Sequence, residues 1–321
     1  MDEMELNEFL AEWNNAADKV LVHTSGSTGS PQPLWVEKRK MLESARITCD
    51  FLGLQRGDTA LLCMPLDYIA GKMMVVRSIE RELRLISVTP SNHPLDGLTE
   101  APTFAAMVPS QVYCSLGNPL LRQIKHLIIG GGAINKGLSE QLRHFPNAVW
   151  STYGMTETLS HIALRRLNGS SATDWYTPFD GVILSKTEDD CLVIDAPMVH
   201  DGVLKTNDIV EFNANGQFRV IGRKDNVICS GGIKLHIEDI EESLRPHLNV
   251  PFAITKKFDE KFGEVPVLIL EKANQGISLD SLKVLDRYSR PKDVAYIDSI
   301  PMTETEKISR KVLLELFADT H

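Results

Sequence analysis

The chain has 321 residues, 43% of them hydrophobic and 24% charged, the balance of an ordinary folded protein with room for two or three cores. Its formal net charge of −9 excludes a general nucleic-acid or acidic-membrane surface, since both reward clustered Lys and Arg. The five cysteines are odd in number, far apart and without a C-x-x-C pair, so no disulfide framework or zinc knuckle is expected.

In chain order, the start MDEMELNEFLAEWNN is acidic and lacks the layout of a signal peptide. Leu6, Phe9, Leu10 and Trp13 fall instead on one face of a short helix. No apolar run approaches the roughly 18 residues of a membrane span, and with its cysteines read as reduced the chain is expected to be soluble and cytoplasmic. VLVH then feeds the loop HTSGSTGSPQPL, residues 23–34. A helix is predicted over 38–52, with Met41, Ala45, Thr48, Cys49 and Leu52 on one face and Gly53 as its stop. TALLCM, LRLISV, TFAAMV, IKHLIIG and AVWSTYG read as buried strands, with helices over 71–81 and 137–144 between them. Such alternation implies an α/β layered fold with a largely parallel sheet. After residue 180, GVILSK, CLVIDA, DIVEFN and QFRVIG suit an antiparallel β unit. Residues 226–321 read as a smaller α+β unit: a helix carrying Ile237, Ile240 and Leu244, the strands FAIT, VPVLIL and VAYI, a helix at 279–288, and a last helix from about Ser309.

Six stretches carry chemistry. Thr24, Ser25, Gly26, Ser27, Thr28 and Gly29 supply hydroxyls and permissive glycines after a strand, which suits a phosphate chain, although such a loop alone is more often a linker or turn. It lacks G-x-x-x-x-G-K-[ST], so the P-loop reading fails. STYGMTET, residues 151–158, offers Tyr153 to stack on a base, Gly154 for close approach, the Thr156 hydroxyl, and the Glu157 carboxylate as a magnesium ligand. GGGA at 130–133 ends a strand where ligands collect, and Gly131 and Gly132 would admit a flat group. Asp208 of TND and Arg223 of IGRKDNVICSGGIKLHIEDIE have the groups to hydrogen-bond a ribose, and PMTETEKISR places Lys307 near the end of the chain. Each also has a plain structural reading, as a turn, a hairpin or a solvated lysine.

Five of them, in their order along the chain, resemble the adenylate-forming superfamily: acyl- and aryl-CoA ligases, peptide-synthetase adenylation domains and luciferases. TSGSTGSP is similar to its phosphate loop, YGMTE to its adenine and magnesium motif, TND to its TGD, GRKDNVI to its ribose and hinge motif, and PMTETEKISR to its C-terminal lysine motif. The resemblance runs from about residue 20 to 315. It implies activation of a small-molecule carboxylic acid by ATP with Mg²⁺, followed by transfer of the acyl group to CoA. It also implies a large domain, 1–224, and a small mobile domain, 225–321, meeting at Asp225. Lys307, Thr156 and Glu157 would be catalytic, Glu157 through Mg²⁺. The loop residues 24–29 would contact ATP, with Gly131, Gly132, Tyr153, Gly154, Asp208, Arg223 and Lys234.

MPLDYIAGKMMVVRSI, residues 64–79, points to the acid. It is similar to the family's PL-x-H-x-x-G segment beside the acyl pocket, with Tyr68 in place of the histidine, then Gly71 and Arg77. An arginine after the apolar run Met73–Val76 either meets an anion or snorkels to solvent. The o-succinylbenzoate–CoA ligases of menaquinone synthesis carry a similar G-x5-R, and their SGG-type loop resembles CSGG at 229–232. On this resemblance the substrate is o-succinylbenzoate, with Arg77 holding its aromatic carboxylate. Another aromatic or dicarboxylic acid, or a nucleotide-binding protein without turnover, are the rival readings.

The pattern departs in four places. Gln32 and Pro33 replace a Lys-Gly pair, leaving weaker ATP affinity or a substitute cation such as Lys72; Asn207 replaces the glycine of TGD; Glu306 replaces the glycine before Lys307. Only about two dozen residues precede the loop where the family has a substantial subdomain, which suggests a compact variant enzyme. Its uncovered sheet face would be covered by other elements or by a second subunit, making a homodimer one expectation.

Overall fold

The computed structural model describes residues 3–23, 33–275, 279–303 and 308–318. The first helix, α1 (Glu3–Asn14), packs Phe9 into the main core, with Leu6, Leu10 and Trp13 beside it. Strand β1 (Lys19–His23) does not enter a large sheet. It pairs antiparallel with β2 (Pro33–Glu37), so that His23 sits opposite Pro33. Trp35 on this ribbon is 61% exposed.

Helix α2 (Lys38–Leu52) has the predicted bounds and buried face, and ends at Gly53 with φ 64°. Left-handed backbone of this kind is what a glycine supplies without steric cost. Helix α3 (Ile69–Arg81) packs against α2 and buries every residue from Gly71 to Ser78. A Cβ on Gly71 would lie 2.2 Å from the Pro65 carbonyl oxygen and 2.9 Å from that of Met64, so only glycine lets α3 approach this backbone.

The main sheet has seven strands: β3 (Thr59–Leu62), β4 (Arg84–Ser87), β5 (Phe104–Met107), β6 (His126–Ile129), β7 (Ala148–Gly154), β8 (His161–Arg166) and β9 (Thr177–Pro178). Their spatial order is β4-β3-β5-β6-β7-β8-β9, parallel as far as β7 and antiparallel beyond it. Every residue of β3 and β5 is buried, which explains why these strands read as continuous apolar runs rather than alternating ones. The short helices α4 (Pro109–Cys114) and α5 (Lys136–Leu142) follow β5 and β6.

Strands β10 (Ile183–Lys186), β11 (Cys191–Asp195), β12 (Val203–Phe212) and β13 (Phe218–Arg223) form the expected antiparallel unit in sequential order. One contiguous core runs from Phe9 to Phe218.

Beyond it, β14 (Val227–Ser230), β15 (Ile233–His236), β16 (Phe252–Asp259), β17 (Gly263–Glu271) and β18 (Asp293–Ile297) build a five-stranded sheet with α6 (Ile237–Leu244) and α7 (Arg310–Ala318). Both faces of β17 are covered, by alternation: Leu268 and Leu270 join the cluster of Ile237, Ile240 and Leu244, whereas Val267 and Ile269 join that of Leu313 and Phe317. The helix expected at 279–288 is instead a short tight turn, Leu279–Val284. Arg290 supplies the reason: its guanidinium donates to the carbonyls of Leu282 (3.1 Å) and Leu285 (3.0 Å), and Asp286 turns the chain back onto Tyr288 and Ser289 before Pro291. Among the described residues no helix is long and apolar enough to cross a membrane. Cys49, Cys63 and Cys191 are buried free thiols, whereas Cys114 and Cys229 are exposed.

Candidate active site

The parallel strands β5, β6 and β7 end side by side, the edge at which open α/β sheets gather ligands. Gly130 follows β6 so closely that a Cβ there would lie 2.4 Å from Thr152 Oγ1, and Gly131 has φ 79°. Gly130 thus stands against β7, which carries Tyr153 and Gly154, whereas Gly131 and Gly132 lie beside Val108 and Pro109 at the end of β5.

The turn after β7 is tightly wound. A Cβ on Gly154 would meet the Ser160 carbonyl oxygen at 2.2 Å. Thr158 Oγ1 accepts from the Met155 N–H at 3.0 Å and donates to the Ser160 carbonyl at 2.7 Å. Leu159 takes φ 63°, an unusual conformation for a branched residue. This winding buries Thr156 and leaves Glu157 exposed, with the Glu157 carbonyl 3.1 Å from His200 Nδ1. Gly154→Ala and Gly71→Ala should each destabilise the fold by about 1–3 kcal/mol, because the added methyl meets backbone that cannot step aside; urea unfolding midpoints measure this.

The register of β12 on β13 sets Asp208 opposite Arg223. Arg223 donates to Asp208 Oδ1 at 3.1 Å, while the Tyr153 hydroxyl donates to Asp208 Oδ2 at 2.6 Å. Burial and the Asp208 charge push the Tyr153 phenol upward, so it remains a donor. Its ring is buried edge-on against Phe218 and Tyr176, with centroids 5.0 and 5.9 Å away. Tyr153, Asp208 and Arg223, three expected nucleotide contacts, thus form one hydrogen-bonded group. The expectation that Tyr153 stacks on a base concerns a ring that here packs among protein aromatics. Asp225 adjoins the group: its carboxylate accepts from Asn207 Nδ2 at 3.0 Å and lies 3.4 Å from Arg223. Lys234 is separate, an exposed residue of the β14–β15 hairpin opposite Cys229, where its charge acts on Asp189 beside Lys224.

Arg77 is 2% exposed, which rules out the snorkelling alternative. One terminal nitrogen donates to Ser160 Oγ at 2.5 Å, the other approaches the Met74 sulfur at 3.7 Å, and Nε has no partner among the described residues. Among the described residues no carboxylate pairs with it. Burial lowers its ordinary value of 12.5 to about 10, so it is still a cation at neutral pH. Tyr68 and Gly71 are not at the same level. Tyr68 precedes α3 and bridges to His23, roughly 13 Å along the helix axis from Arg77 at 1.5 Å per residue. Lys72 is not a spare cation for the phosphate loop. Its ammonium donates to the Leu21 carbonyl at 2.8 Å, lies 3.4 Å from Glu12, and covers the Phe9 ring.

Sequence reading missed Ser160, His161 and Thr48 around Arg77, and Tyr176 and Phe218 around Tyr153. The one available signal was a histidine opening the otherwise apolar stretch HIAL. His161 Nδ1 is 3.1 Å from Ser160 Oγ, and Nε2 is 3.2 Å from Thr48 Oγ1. Burial, then the Arg77 charge, hold the His161 imidazole well below its ordinary 6.5. The unfolded chain therefore binds a proton below that pH which the folded chain refuses. Stability from neutral His161 is fully present above about pH 6.5 and declines as pH falls, by about 1.4 kcal/mol per unit. Urea unfolding at about pH 7 and 5.5 should show this decline in the wild type and a flatter profile in His161→Asn.

Thr24, Ser25, Gly26, Ser27, Thr28, Gly29, Gln32, Glu306 and Lys307 lie outside the described residues.

The profile of the AMP-binding enzyme family matches residues 7–196. The 2-succinylbenzoate–CoA ligase of Bacillus cytotoxicus is 26% identical, over 96% of this chain and 72% of that protein. A crystal structure of an acyl-CoA synthetase (AMP-forming)/AMP-acid ligase II-like protein from Dyadobacter fermentans is 32% identical with a TM-score of 0.65, covering 98% of this chain and 93% of that one. The fold also matches Bacillus subtilis MenE, an o-succinylbenzoate CoA synthetase bound to its acyl-adenylate intermediate OSB-AMP, with a TM-score of 0.77 at 23% identity over 91% of this chain and 68% of that one. With the family profile covering more than half of the chain, and a full-length structural relative above 30% identity, the protein belongs to the AMP-binding enzyme family and is an AMP-forming acid–thiol ligase.

Proposed function

We propose that this protein is an o-succinylbenzoate–CoA ligase. The acid's succinyl carboxylate attacks the α-phosphate of ATP and expels pyrophosphate; the CoA thiol then attacks the acyl-adenylate carbonyl and releases AMP. The observation that carries the choice of acid is Arg77: a buried cation with an unused Nε and no carboxylate partner among the described residues. An uncompensated buried charge is costly, and a ligand carboxylate would supply the missing partner. Ser160, which touches Arg77, is also in contact range of Gly154, so the anchor lies beside the turn that carries Thr156 and Glu157. An acid held at one end by Arg77 would present its other carboxylate towards that turn.

In this reading the residues 24–29 hold the phosphates, Asp208 and Arg223 bind the ribose, and Gly131, Gly132, Tyr153 and Gly154 shape the adenine side. Glu157 is an exposed carboxylate at a strand-end turn, which fits Mg²⁺, an ion that takes one or two carboxylates together with phosphate oxygens. When bound, Mg²⁺ neutralises phosphate charge. Lys307 offsets the charge that develops as pyrophosphate departs. Separate hydrophobic clusters before Phe218 and after Ile228 support a boundary at Asp225, about which the smaller unit would turn between the two half-reactions. Buried free thiols and the menaquinone precursor as substrate favour a cytoplasmic enzyme.

The test is AMP formation from ATP, Mg²⁺ and CoA with o-succinylbenzoate, benzoate, succinate and short fatty acids. A preference for o-succinylbenzoate supports the reading. Turnover of another acid alone would replace the substrate and keep the chemistry, and no AMP with any of them would leave a nucleotide-binding protein without turnover.

A further inference from the structure

We propose that His161 and Thr48 form a buried relay that sets the orientation of Arg77, and so decides whether an acid with a second carboxylate is preferred. The proposal rests on Arg77 being the anchor. Its basis is the direction of one hydrogen-bonded chain. A guanidinium only donates, so Ser160 Oγ accepts from Arg77 at 2.5 Å. At the other end Thr48 Oγ1 donates to the Ser44 carbonyl at 3.1 Å, so towards His161 Nε2, 3.2 Å away, it can only accept. A neutral His161 then carries its proton on Nε2, and its Nδ1 accepts the Ser160 proton at 3.1 Å. The opposite tautomer would take the Thr48 proton away from the Ser44 carbonyl and leave the Ser160 proton without a partner in the chain.

The relay joins three elements that are remote in sequence: α2 supplies Ser44 and Thr48, α3 supplies Arg77, and the turn between β7 and β8 supplies Ser160 and His161. Thr48 is fully buried and His161 is 8% exposed, so water does not substitute for either partner. The Phe179 ring, 5.5 Å from the imidazole, limits how His161 can tilt. This matters because Arg77 has little else to hold it. Its side chain is long, its contact with the Met74 sulfur is weak, and Nε, without a partner among the described residues, is a donor left for a ligand. Ser160 can hold the guanidinium in one place only if its hydroxyl cannot rotate, and His161 is what stops it. His161 and Thr48 are thus positioning residues that act through Ser160.

The experiment compares kcat/KM for AMP formation with o-succinylbenzoate and with benzoylpropionate, the same acid without the ring carboxylate. The readout is the ratio of the two. Thr48→Val, nearly the same shape without the hydroxyl, and His161→Phe should each lower the ratio about tenfold, mainly through KM for the dicarboxylate. Thr48→Ser should restore it, and His161→Asn, which keeps an acceptor for Ser160, should restore part of it. A purely structural role would depress both acids together and leave the ratio unchanged. An unchanged ratio in Thr48→Val and His161→Phe, with the ratio lost in Arg77→Met, would overturn the relay and keep the anchor. An unchanged ratio in Arg77→Met would overturn the anchor and the relay with it. Thermal melting of Thr48→Val and Thr48→Ser confirms that the compared proteins are folded.

Discussion

Lys307→Ala should reduce adenylate formation by about a hundred- to a thousandfold, the usual cost of removing one preorganised charge-stabilising group. The described residues on either side of it meet: Met302 bridges Ile308, and the Ser309 N–H donates to the Pro301 carbonyl at 2.8 Å. Arg310 then clamps that point to the smaller unit. It reaches both Glu241 carboxylate oxygens, at 2.8 and 2.7 Å, and the Ile254 carbonyl at 2.9 Å. Fork-to-fork contacts of this kind are among the stronger and more directional pairings available. A lysine presented from the smaller unit should serve only the half-reaction for which that unit is turned inward. Pyrophosphate exchange should therefore collapse in Lys307→Ala, while CoA still consumes acyl-adenylate supplied ready-made. Equal loss of both half-reactions would instead place Lys307 in a role common to the two.

Arg77→Met should have two effects of opposite sense. Activity with o-succinylbenzoate should fall about a hundred- to a thousandfold in kcat/KM, because a carboxylate would be left buried without its cation. The free protein should meanwhile melt at a higher temperature. In the free chain Arg77 is a buried charge with one hydroxyl partner, one weak sulfur contact and an unused Nε, and methionine removes that desolvation cost while filling much of the same space. A gain in stability joined to a loss of activity marks a residue kept for its ligand. Differential scanning calorimetry of the two proteins without substrate decides this. A lower melting temperature for Arg77→Met would mean that the charge is already satisfied in the free protein, and the argument for a second carboxylate would lose its footing.

Much of the scaffold was legible from periodicity. The helix over 38–52 has the predicted bounds because its apolar face repeats at helical spacing and Gly53 supplies a left-handed stop. Strand β7, AVWSTYG, also has its expected extent. VLVH does feed the loop as read; its neighbour is decided by the chain returning at Pro33, so it forms a ribbon outside the main sheet. One element was misread for an identifiable reason. The stretch 279–288 has helical spacing, but Arg290 takes the carbonyls that a helix would have used.

By itself the sequence determined which chemistry the chain could carry: five motifs in one order, a parallel sheet whose strand ends would receive them, and an arginine after an apolar run that would either meet an anion or snorkel to solvent. Local pattern suffices for these because a strand, a turn or a phosphate loop is made by neighbouring residues. Only the tertiary structure decided what surrounds the arginine. Ser160 lies 83 residues from Arg77, and His161 lies 113 from Thr48, so nothing in either local stretch reports the contact. Burial on one's own element is written in periodicity, whereas the partner of a buried polar group depends on how separate elements pack.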